Sequence, residues 1–577
     1  MKRAALFVVP VLAAIAVYLP ALRNGFIWDD PLVLQQLQAI GSLRDLFILP
    51  SSIPHFYFRP LIFITYLIDR SLGGGAAWWF HASVITAHVT NTALVLVLAQ
   101  RLFVNDWTIA AGSALLFAVF PAHVESVAWM AGRSDVIACT FVLATVLLYW
   151  EHDGHWRAAL AGLTYLLGLL SKETSLACLA LIPALDLIRG HRAQWGRYAP
   201  LLLATAIYFI LRRQALGTIG AGIASALPAS QLSLDILRAL GFYTLQAIAP
   251  VRLCAYVPEV PAAWPYAALG VVALALPAAY AAWRPLRQRG GRLLGLLAAW
   301  FFATLAPSLV VIMRRSASAP VADRYLYLPS VASCVMLSWA LVRLVERCRR
   351  LPVKSGAPVA IAPVALLAAA FAFHTVRYAR IWTDDLSFWS DVAAKSPADA
   401  LPHRELATAL LQRGRLQEAE SELLQALAGH SDAQGRAMTY NNLGNLYRRL
   451  GRYEDAQQAF AAGLGIVAHP TLYHNLGMLL MNKVEREQRA GDQAAVLRDI
   501  AQARAAFQHA LQLGQRVAAI SAFPPWDEAK THALLGQVLF SLGDRAGAQT
   551  HLETALRLQP DGPVADTTRR YMQRLQP

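Results

Sequence analysis

The distribution of apolar residues divides the chain into two parts with different periodicities. Up to about residue 376, long apolar runs alternate with short polar segments, and many runs are long enough for a helix to cross a bilayer. They predict about eleven membrane spans, near residues 4–20, 81–100, 108–122, 134–150, 156–171, 175–189, 198–212, 264–283, 293–312, 330–345 and 358–376. Residues 377–396 form a connector, and an amphipathic helical repeat occupies residues 397–577.

The repeat pairs small residues with large ones at fixed spacing. In the clearest copy, Asn442-Leu443-Gly444 and Tyr447 are followed by Ala456, Phe460 and Gly463. This frame is typical of tetratricopeptide (TPR) helix pairs. Three other copies keep it: Ala407 with Ala419, Leu423 and Ala426; Leu476-Gly477 with Ala503, Phe507 and Ala510 after an insertion; and Leu535-Gly536 with Ala548, Ala555 and Pro560. About four repeats suffice for a small solenoid.

Composition supports a membrane location for the first part. The 577 residues are 56% hydrophobic and 15% charged, with a mean hydropathy of +0.41. Residues 1–376 hold 29 Lys and Arg against 15 Asp and Glu, a net +14, whereas residues 377–577 hold 22 against 21, a net +1. Positive cytoplasmic loops and anionic lipids account for this excess. No basic, aromatic-interleaved patch indicates nucleic-acid binding, and the five cysteines show no CxxC spacing.

Basic clusters predict the orientation. Lys2 and Arg3 precede the first run, and no small-residue cleavage site follows it, so we predict an uncleaved span with a cytoplasmic N-terminus. Further clusters predict other cytoplasmic loops: Arg189, Arg192 and Arg197; Arg284, Arg287, Arg289 and Arg292; and Arg347, Arg349, Arg350 and Lys354. The repeats then lie outside the cytoplasm. Residues 236–256 do not fit this count as a crossing and are predicted to form an interfacial or hairpin element.

Two adjacent carboxylates, Asp29 and Asp30, follow the first predicted span. Asp is costly near lipid, so a pair at this boundary calls for a physical reason. Other ionisable residues are predicted on the same outer face: Arg59, His123, Glu125, Arg133, Asp135, Lys172, Glu173, Arg314, Arg315, Asp323 and Arg324. Carboxylates beside cations suit the transfer of a sugar from a polyprenyl-phosphate carrier. A carboxylate takes the proton of the acceptor hydroxyl, and cations stabilise the phosphate that leaves.

These residues receive specific roles in that chemistry. Asp29 and Asp30 are the candidates for the catalytic base; we favour Asp29, with Asp30 orienting it or binding the acceptor. The candidates for binding the donor phosphate are Arg324, Lys172, Arg133 and Arg59, and those for acceptor binding or support are Glu173, Asp135, Asp323 and Tyr325. His123 and Glu125 form an H-x-E pair that, with Asp29, would suffice for a loosely held divalent cation such as Mg²⁺ or Mn²⁺.

Simpler explanations compete with each of these roles. The aspartates can cap a helix at the turn into Pro31, the cations can snorkel or cap helices, and His123 with Glu125 can end a helix kinked at Pro121. A non-enzymatic, membrane-anchored TPR scaffold explains the repeats but gives no reason for acids and cations in separate outer loops. A transporter would be expected to show internal repeats or broken helices near the bilayer midplane.

Six motifs, taken in order, resemble the transmembrane-and-TPR O-mannosyltransferase family. They are Trp28-Asp-Asp30, Phe58-Arg-Pro-Leu61, Phe117-Ala-Val-Phe-Pro-Ala-His-Val-Glu125, Gly132-Arg-Ser-Asp135, Ser171-Lys-Glu173 and Asp323-Arg-Tyr-Leu-Tyr-Leu-Pro-Ser330. The resemblance covers nearly the whole chain. It implies an all-α fold in which a polytopic GT-C glycosyltransferase module precedes a TPR α-solenoid, a polyprenyl-phosphate sugar donor, a catalytic acid in the first extracytoplasmic loop, and inversion at the anomeric carbon.

The resemblance leaves the substrates and the metal open. The family's eukaryotic members act on protein Ser or Thr with dolichyl-phosphate mannose, whereas this Ala-rich chain favours a bacterial inner-membrane protein with undecaprenyl or a related carrier and periplasmic repeats. Lipid and glycan acceptors remain alternatives. Oligosaccharyltransferases of the same broad class use metal ligands in the matching loop, but the protein mannosyltransferases work without a metal. The TPR surface is expected to hold either a polypeptide acceptor or an assembly partner.

Overall fold

The computed structural model of the protein describes residues 2–38, 40–47, 57–104, 106–150, 155–191, 195–217, 228–283, 289–314, 320–348, 358–514 and 526–575. Within these residues the chain is all-α, with isolated bridges and no strand. Its internal contacts divide it into two compact units, Met1–Phe388 and Trp389–Pro577. The boundary between the units therefore lies within residues 377–396.

The first unit consists of fifteen α-helices in the described residues, several of them linked by short 3₁₀ turns. They are α1 Lys2–Tyr18, α2 Asp30–Gln38, α3 Pro60–Gly73, α4 Ala77–Leu102, α5 Trp107–Ala118, α6 Val124–Val127, α7 Arg133–Trp150, α8 His155–Ser171, α9 Cys178–Arg189, α10 Trp195–Leu216, α11 Ala229–Ile248, α12 Trp264–Trp283, α13 Arg289–Arg314, α14 Ser330–Cys348 and α15 Pro358–Ala379. Each predicted span overlaps one of these helices, because an apolar run in lipid must satisfy its own backbone groups.

Six of the described helices are long and apolar enough to cross a membrane: Leu6–Arg23, Ala77–Leu102, Arg133–Trp150, Trp195–Leu216, Arg292–Met313 and Ile361–Thr383. Helix α5 and the segment Pro121–Val127 meet at a 47° bend and add a seventh if they form one span. Pro121 explains the break, because its ring removes a backbone donor. These helices identify a membrane protein by length and composition, whereas the total of about eleven spans stays a prediction.

Small residues allow the helices of the first unit to pack closely. Helix α5 packs against α1, α4, α14 and α15, and Gly112 faces Ser338 of α14, whose hydroxyl donates to the Ile109 carbonyl at 3.0 Å. Helix α11, which covers part of the predicted element 236–256, packs along α12. A side chain on Gly241 would collide with the Tyr266 carbonyl of α12, so glycine is required at this crossing.

The second unit contains four helix pairs and a final helix in the described residues, after a short helix at the boundary, α16 Asp385–Lys395. The pairs are α17 Ala400–Gln412 with α18 Leu416–Ala428, α19 Ala433–Arg449 with α20 Tyr453–Ile466, α21 Pro470–Ala490 with α22 Gln493–Gly514, and α23 Glu528–Ser541 with α24 Arg545–Leu558; α25 is Pro563–Leu575. A Cβ on Gly444 would lie 2.6 Å from Phe460, and one on Gly477 would lie 2.6 Å from Phe507. The small residue of one helix thus receives the ring of its partner, as the sequence frame predicts.

Several basic residues used to predict the orientation, and Arg315 of the predicted outer face, cannot be placed. Arg192, Arg284, Arg287, Arg315, Arg349, Arg350 and Lys354 lie outside the described residues.

Candidate functional site

The loop that carries the two aspartates is tied to several parts of the first unit. Gly25 N–H donates to the Thr383 carbonyl at 3.0 Å, and Trp28 N–H donates to Asp385 Oδ1 at 3.0 Å. Trp28 has a φ of +55°, and its ring stacks on Trp129 with centroids 4.8 Å apart. A positive φ is unfavourable for a bulky residue, so these contacts hold the loop in a conformation that it would otherwise avoid.

The two aspartates have opposite environments. Asp29 is exposed, whereas Asp30 is fully buried. Asp30 Oδ2 accepts from Ile27 N–H and Oδ1 from Ala131 N–H, both at 3.0 Å. Burial raises the pKa of Asp30 to about 7, although both backbone N–H groups oppose the shift. Asp30 therefore joins the loop that carries the two aspartates, called the acid loop below, to the segment before α7. Asp29 is the carboxylate presented to solvent.

Three cations of the predicted phosphate site each pair with one acid. Arg324 donates through its backbone N–H to Glu125 Oε2 at 2.9 Å and through its guanidinium to Glu125 Oε1. Lys172 Nζ lies 2.7 and 2.6 Å from the two oxygens of Asp135. A third pair joins Arg59 to Glu173, with 2.9 Å between the guanidinium nitrogen and the carboxylate oxygen.

Aromatic rings connect two of these cations, Lys172 and Arg324, to each other and to the loop that carries Asp29 and Asp30. The Tyr325 ring centroid lies 5.4 Å from Lys172 Nζ and 5.2 Å from the Arg324 guanidinium carbon. The same Arg324 carbon lies 5.6 Å from the centroid of Trp129, the ring that stacks on Trp28. A continuous series of ring and cation contacts therefore runs from Trp28, the neighbour of Asp29, to Arg324 and Lys172.

The ionisation of the cluster follows from its pairing. Burial raises the pKa of Glu173, but Arg59 and then Lys172 outweigh burial and lower it to about 2. Burial lowers the pKa of Lys172 despite the opposing effect of Asp135. Burial also works against the charged Arg324, yet Glu125 outweighs it and raises the pKa of Arg324. Arg59, Arg324 and Glu173 therefore stay charged near neutral pH.

Arg133 lies apart from this cluster. Its guanidinium donates to Asp69 Oδ2 at 2.5 Å and to the Phe80 carbonyl at 3.1 Å, and it stacks over the Tyr66 ring at 4.3 Å. The Arg133 side chain is only 1% exposed. A donor phosphate could not reach this guanidinium without displacing Asp69, so Arg133 is placed to hold α3, α4 and α7 together.

His123 and Glu125 face different partners. His123 Nε2 lies 2.7 Å from Ser330 Oγ, its ring packs 4.4 Å from Tyr327 between centroids, and Glu125 is occupied by Arg324. Across the described residues, no group of three or more His, Cys, Asp or Glu side chains is arranged to hold a metal ion. In this geometry His123, Glu125 and Asp29 do not fit a divalent-cation site.

Asp323 supports the backbone near the cluster. Its Oδ2 accepts from Cys254 N–H at 3.0 Å and from the Tyr378 hydroxyl at 3.5 Å.

Three contributors to the site were not singled out by the sequence: Asp69, Trp129 and Asp385. Asp69 was detectable as an acid within the apolar run of α3, whereas nothing marked Trp129 or Asp385.

The repeat unit matches the family described as Tetratricopeptide repeat over residues 399–467 and again over 529–561. Apolar helices long enough to span a membrane, followed by these repeats, define the class of protein as an all-α membrane protein with a TPR unit.

Relatives of this chain are protein O-mannosyl-transferases by name. Protein O-mannosyl-transferase Tmtc2 of Drosophila melanogaster is 35% identical over 201 residues, covering 31% of this chain and 21% of that protein. Protein O-mannosyl-transferase TMTC1 of Homo sapiens is 27% identical over 455 residues, covering 68% and 50%. The chain therefore spans between about a fifth and about half of the length of these relatives. Both are animal proteins, so they give the predicted bacterial origin no support.

A solved structure, that of pilF from Pseudomonas aeruginosa, is 14% identical and covers 48% of this chain and 99% of its own, with a TM-score of 0.26. A score this low supports no argument about the site.

Proposed function

We propose that this chain is a membrane glycosyltransferase of the GT-C class that transfers mannose from a polyprenyl-phosphate carrier to Ser or Thr of a protein. The observation that carries the proposal is the arrangement around Trp129. Trp28, which precedes the exposed Asp29, stacks on the Trp129 ring. The Arg324 guanidinium, which belongs to the same cluster as Lys172, lies 5.6 Å from the centroid of that ring. The names of the relatives support both the reaction and the protein acceptor.

The reaction is a single displacement. The acceptor hydroxyl oxygen attacks the anomeric carbon while its proton passes to the Asp29 carboxylate. The bond between that carbon and the phosphate oxygen breaks, and its electron pair leaves with the polyprenyl phosphate. Attack from the face opposite the leaving group inverts the anomeric centre. Asp30 supports the base by holding the loop through Ile27 and Ala131.

The cation cluster stabilises the leaving phosphate. The side chains of Arg59 and Arg324 are 18% and 19% exposed, so both can touch a ligand while remaining partly desolvated. Lys172 is buried on Asp135 and contributes its charge from a position 5.4 Å from the Tyr325 ring centroid. Guanidinium groups suit this task because they donate in a fixed fork to phosphate oxygens and stay charged.

The proposal includes an orientation and a role for the repeats. The site and the TPR unit face the lumen or periplasm, where lipid-linked sugars are presented, and the N-terminus is cytoplasmic. The repeats hold an extended segment of the acceptor protein and raise its local concentration.

Sugar transfer by the purified full-length protein in lipid nanodiscs tests the function. Dolichyl- and undecaprenyl-phosphate mannose are the donors, Ser- and Thr-containing peptides the acceptors, and mass spectrometry detects the product with and without EDTA. We expect Asp29→Asn to lower turnover by about 10²-fold or more, since the amide cannot accept the proton. Asp235→Asn, which alters an aspartate paired with Arg238 on α11, is the matched control and should retain activity.

The outcomes separate the rival functions. Full activity of Asp29→Asn would remove its role as base, and no transfer with either donor to any peptide would favour a TPR scaffold. Loss of transfer in EDTA would show that a divalent cation takes part. Transfer to lipid or glycan acceptors alone would move the enzyme to a different acceptor class.

A further inference from the structure

The ion pair between Arg59 and Glu173 differs from the other two pairs of the cluster. The Glu173 side chain is 29% exposed, but its carboxylate contacts Arg59 through one oxygen at 2.9 Å, and its other oxygen, Oε2, is buried without a hydrogen-bond partner among the described residues. Glu125 and Asp135 are 0% and 2% exposed, and each uses both oxygens on its cation. Displacing Glu125 or Asp135 would break two hydrogen bonds to a cation, whereas displacing Glu173 breaks one. Glu173 is therefore the acid that loses the fewest hydrogen bonds when it leaves its cation.

The Arg59 guanidinium can donate more hydrogen bonds than the single one that Glu173 accepts from it. Among the described residues, its buried Nε has no hydrogen-bond partner, although the terminal nitrogen of the same fork is bound to Glu173. Arg59 also precedes the first residue of α3, a helix of 14 residues whose N-terminal end carries partial positive charge. A phosphate can use both nitrogens of the guanidinium edge, whereas Glu173 uses one.

The charge balance of the cluster also favours displacement of an acid by an incoming phosphate. Arg59, Lys172 and Arg324 are matched by Glu125, Asp135 and Glu173, three cations against three anions. Each base–acid pair has a net formal charge of zero, whichever member carries the proton, so the cluster is neutral in this state. A phosphate that entered without displacing an acid would bring excess negative charge into a partly buried site.

We propose that Glu173 occupies the place of the donor phosphate on Arg59 and that the phosphate of a polyprenyl-phosphate ligand displaces it. This inference rests on the proposed function, because it assigns Glu173 a part in binding the same donor. Glu173 then acts as a competing anion that keeps Arg59 ordered and weakens phosphate binding. After transfer, its return to Arg59 helps to expel the polyprenyl phosphate.

Equilibrium binding of decaprenyl phosphate to the full-length protein in nanodiscs tests the inference. We expect Glu173→Gln to tighten binding by about five- to tenfold, since the competing charge is gone. Glu173→Ala should also bind more tightly, and it keeps the test valid if the glutamine forms a substitute hydrogen bond. Glu346→Gln, which neutralises a glutamate paired with Arg343 on α14, is the matched control and should leave affinity unchanged.

A double-mutant cycle locates the effect on Arg59. Arg59→Gln should weaken binding, and adding Glu173→Gln to it should produce little further change, because the two residues compete through one guanidinium. Unchanged or weaker binding by both Glu173 variants, with wild-type binding and sugar transfer intact, would overturn the inference and leave the proposed function standing. Absence of any decaprenyl phosphate binding by the wild-type protein would overturn both.

Discussion

Arg133 and Asp69 form an ion pair that is almost completely buried between α3, α4 and α7, with side-chain exposures of 1% and 5%. Removing one partner of such a pair leaves an uncompensated charge in a dry environment. We expect Asp69→Asn to destabilise the protein by about 3–5 kcal/mol, seen as a lower thermal unfolding midpoint in nanodiscs. The exposed pair of Arg343 and Glu346 is the comparison, and Glu346→Gln should cost less than about 1 kcal/mol. Equal midpoints for Asp69→Asn and the wild type would contradict a structural role for Arg133.

At the residue scale, the sequence singles out ionisable side chains but not their partners. Its motifs group Arg133 with Arg324 and Lys172, whereas the fold pairs Arg133 with Asp69, which no motif contains. Glu125 and Arg324 are 199 positions apart, and no local pattern joins them. Asp29 and Asp30 are adjacent and chemically identical, so only the packed structure shows which is buried.

At the element scale, the crossing of α11 and α12 depends on two glycines. A Cβ on Gly241 would collide with the Tyr266 carbonyl, and one on Gly270 would collide with the Leu237 carbonyl. Because backbone atoms cannot rotate away, Gly241→Ala should separate the helices and cost about 1–3 kcal/mol, measured as a lower unfolding midpoint. Gly196→Ala in α10 is the control, since its added Cβ meets no atom of the described chain within 4 Å. An unchanged midpoint for Gly241→Ala would rule out this close crossing.

The last TPR helix pair contains a histidine pair that should make its stability depend on pH. His532 Nδ1 of α23 and His551 Nδ1 of α24 are 2.8 Å apart, so one ring must donate and the other accept. Burial, aided by His551, lowers the pKa of His532 to about 4, and burial also lowers the pKa of His551. The unfolded chain therefore binds more protons below about pH 6.5, and stability is lost as the pH falls from there towards 4.

Hydrogen exchange of the full-length protein measures this effect. Amides of α23 and α24 should lose protection between pH 7.5 and pH 5 after correction for intrinsic rates, by on the order of 1 kcal/mol. His551→Gln should reduce the pH dependence, because the pair can no longer be doubly protonated. Equal pH dependence in the variant and the wild type would show that other groups are responsible.

Apolar periodicity predicts the helices well, because a segment in lipid must satisfy its own backbone hydrogen bonds. It does not predict where the helix type changes within one apolar run. The predicted run 175–189 begins as a 3₁₀ turn, Glu173–Ala177, and becomes α-helical at Cys178. The TPR helix pairs can be predicted from the sequence because the small and large residues of the repeat contact each other directly, as Gly536 and Leu552 do. The insertion in the third copy lengthens both α21 and α22, which the spacing alone does not distinguish from a loop.

At the scale of the whole molecule, the predicted orientation can be tested with a cysteine that the chain already contains. Helix α14 begins at Ser330, which contacts His123, and ends at Cys348, which is exposed. Its 19 residues extend about 28 Å, close to the thickness of a hydrocarbon core of about 30 Å. The sequence predicts a span at residues 330–345, and a crossing by α14 would put Cys348 on the membrane face opposite the candidate site. The proposed orientation makes that face cytoplasmic.

A membrane-impermeant maleimide should label Cys348 only after cells are permeabilised. The experiment uses the variant Cys254→Ser, because Cys254 is only half-buried and is a second candidate for labelling. Adding Cys348→Ser should abolish the label and so identifies the reactive thiol. Labelling of Cys348 in intact cells would place the acid loop and the cation cluster in the cytoplasm. An enzyme using an externally presented lipid-linked sugar could not work from that side, so this result would contradict the orientation and the donor together.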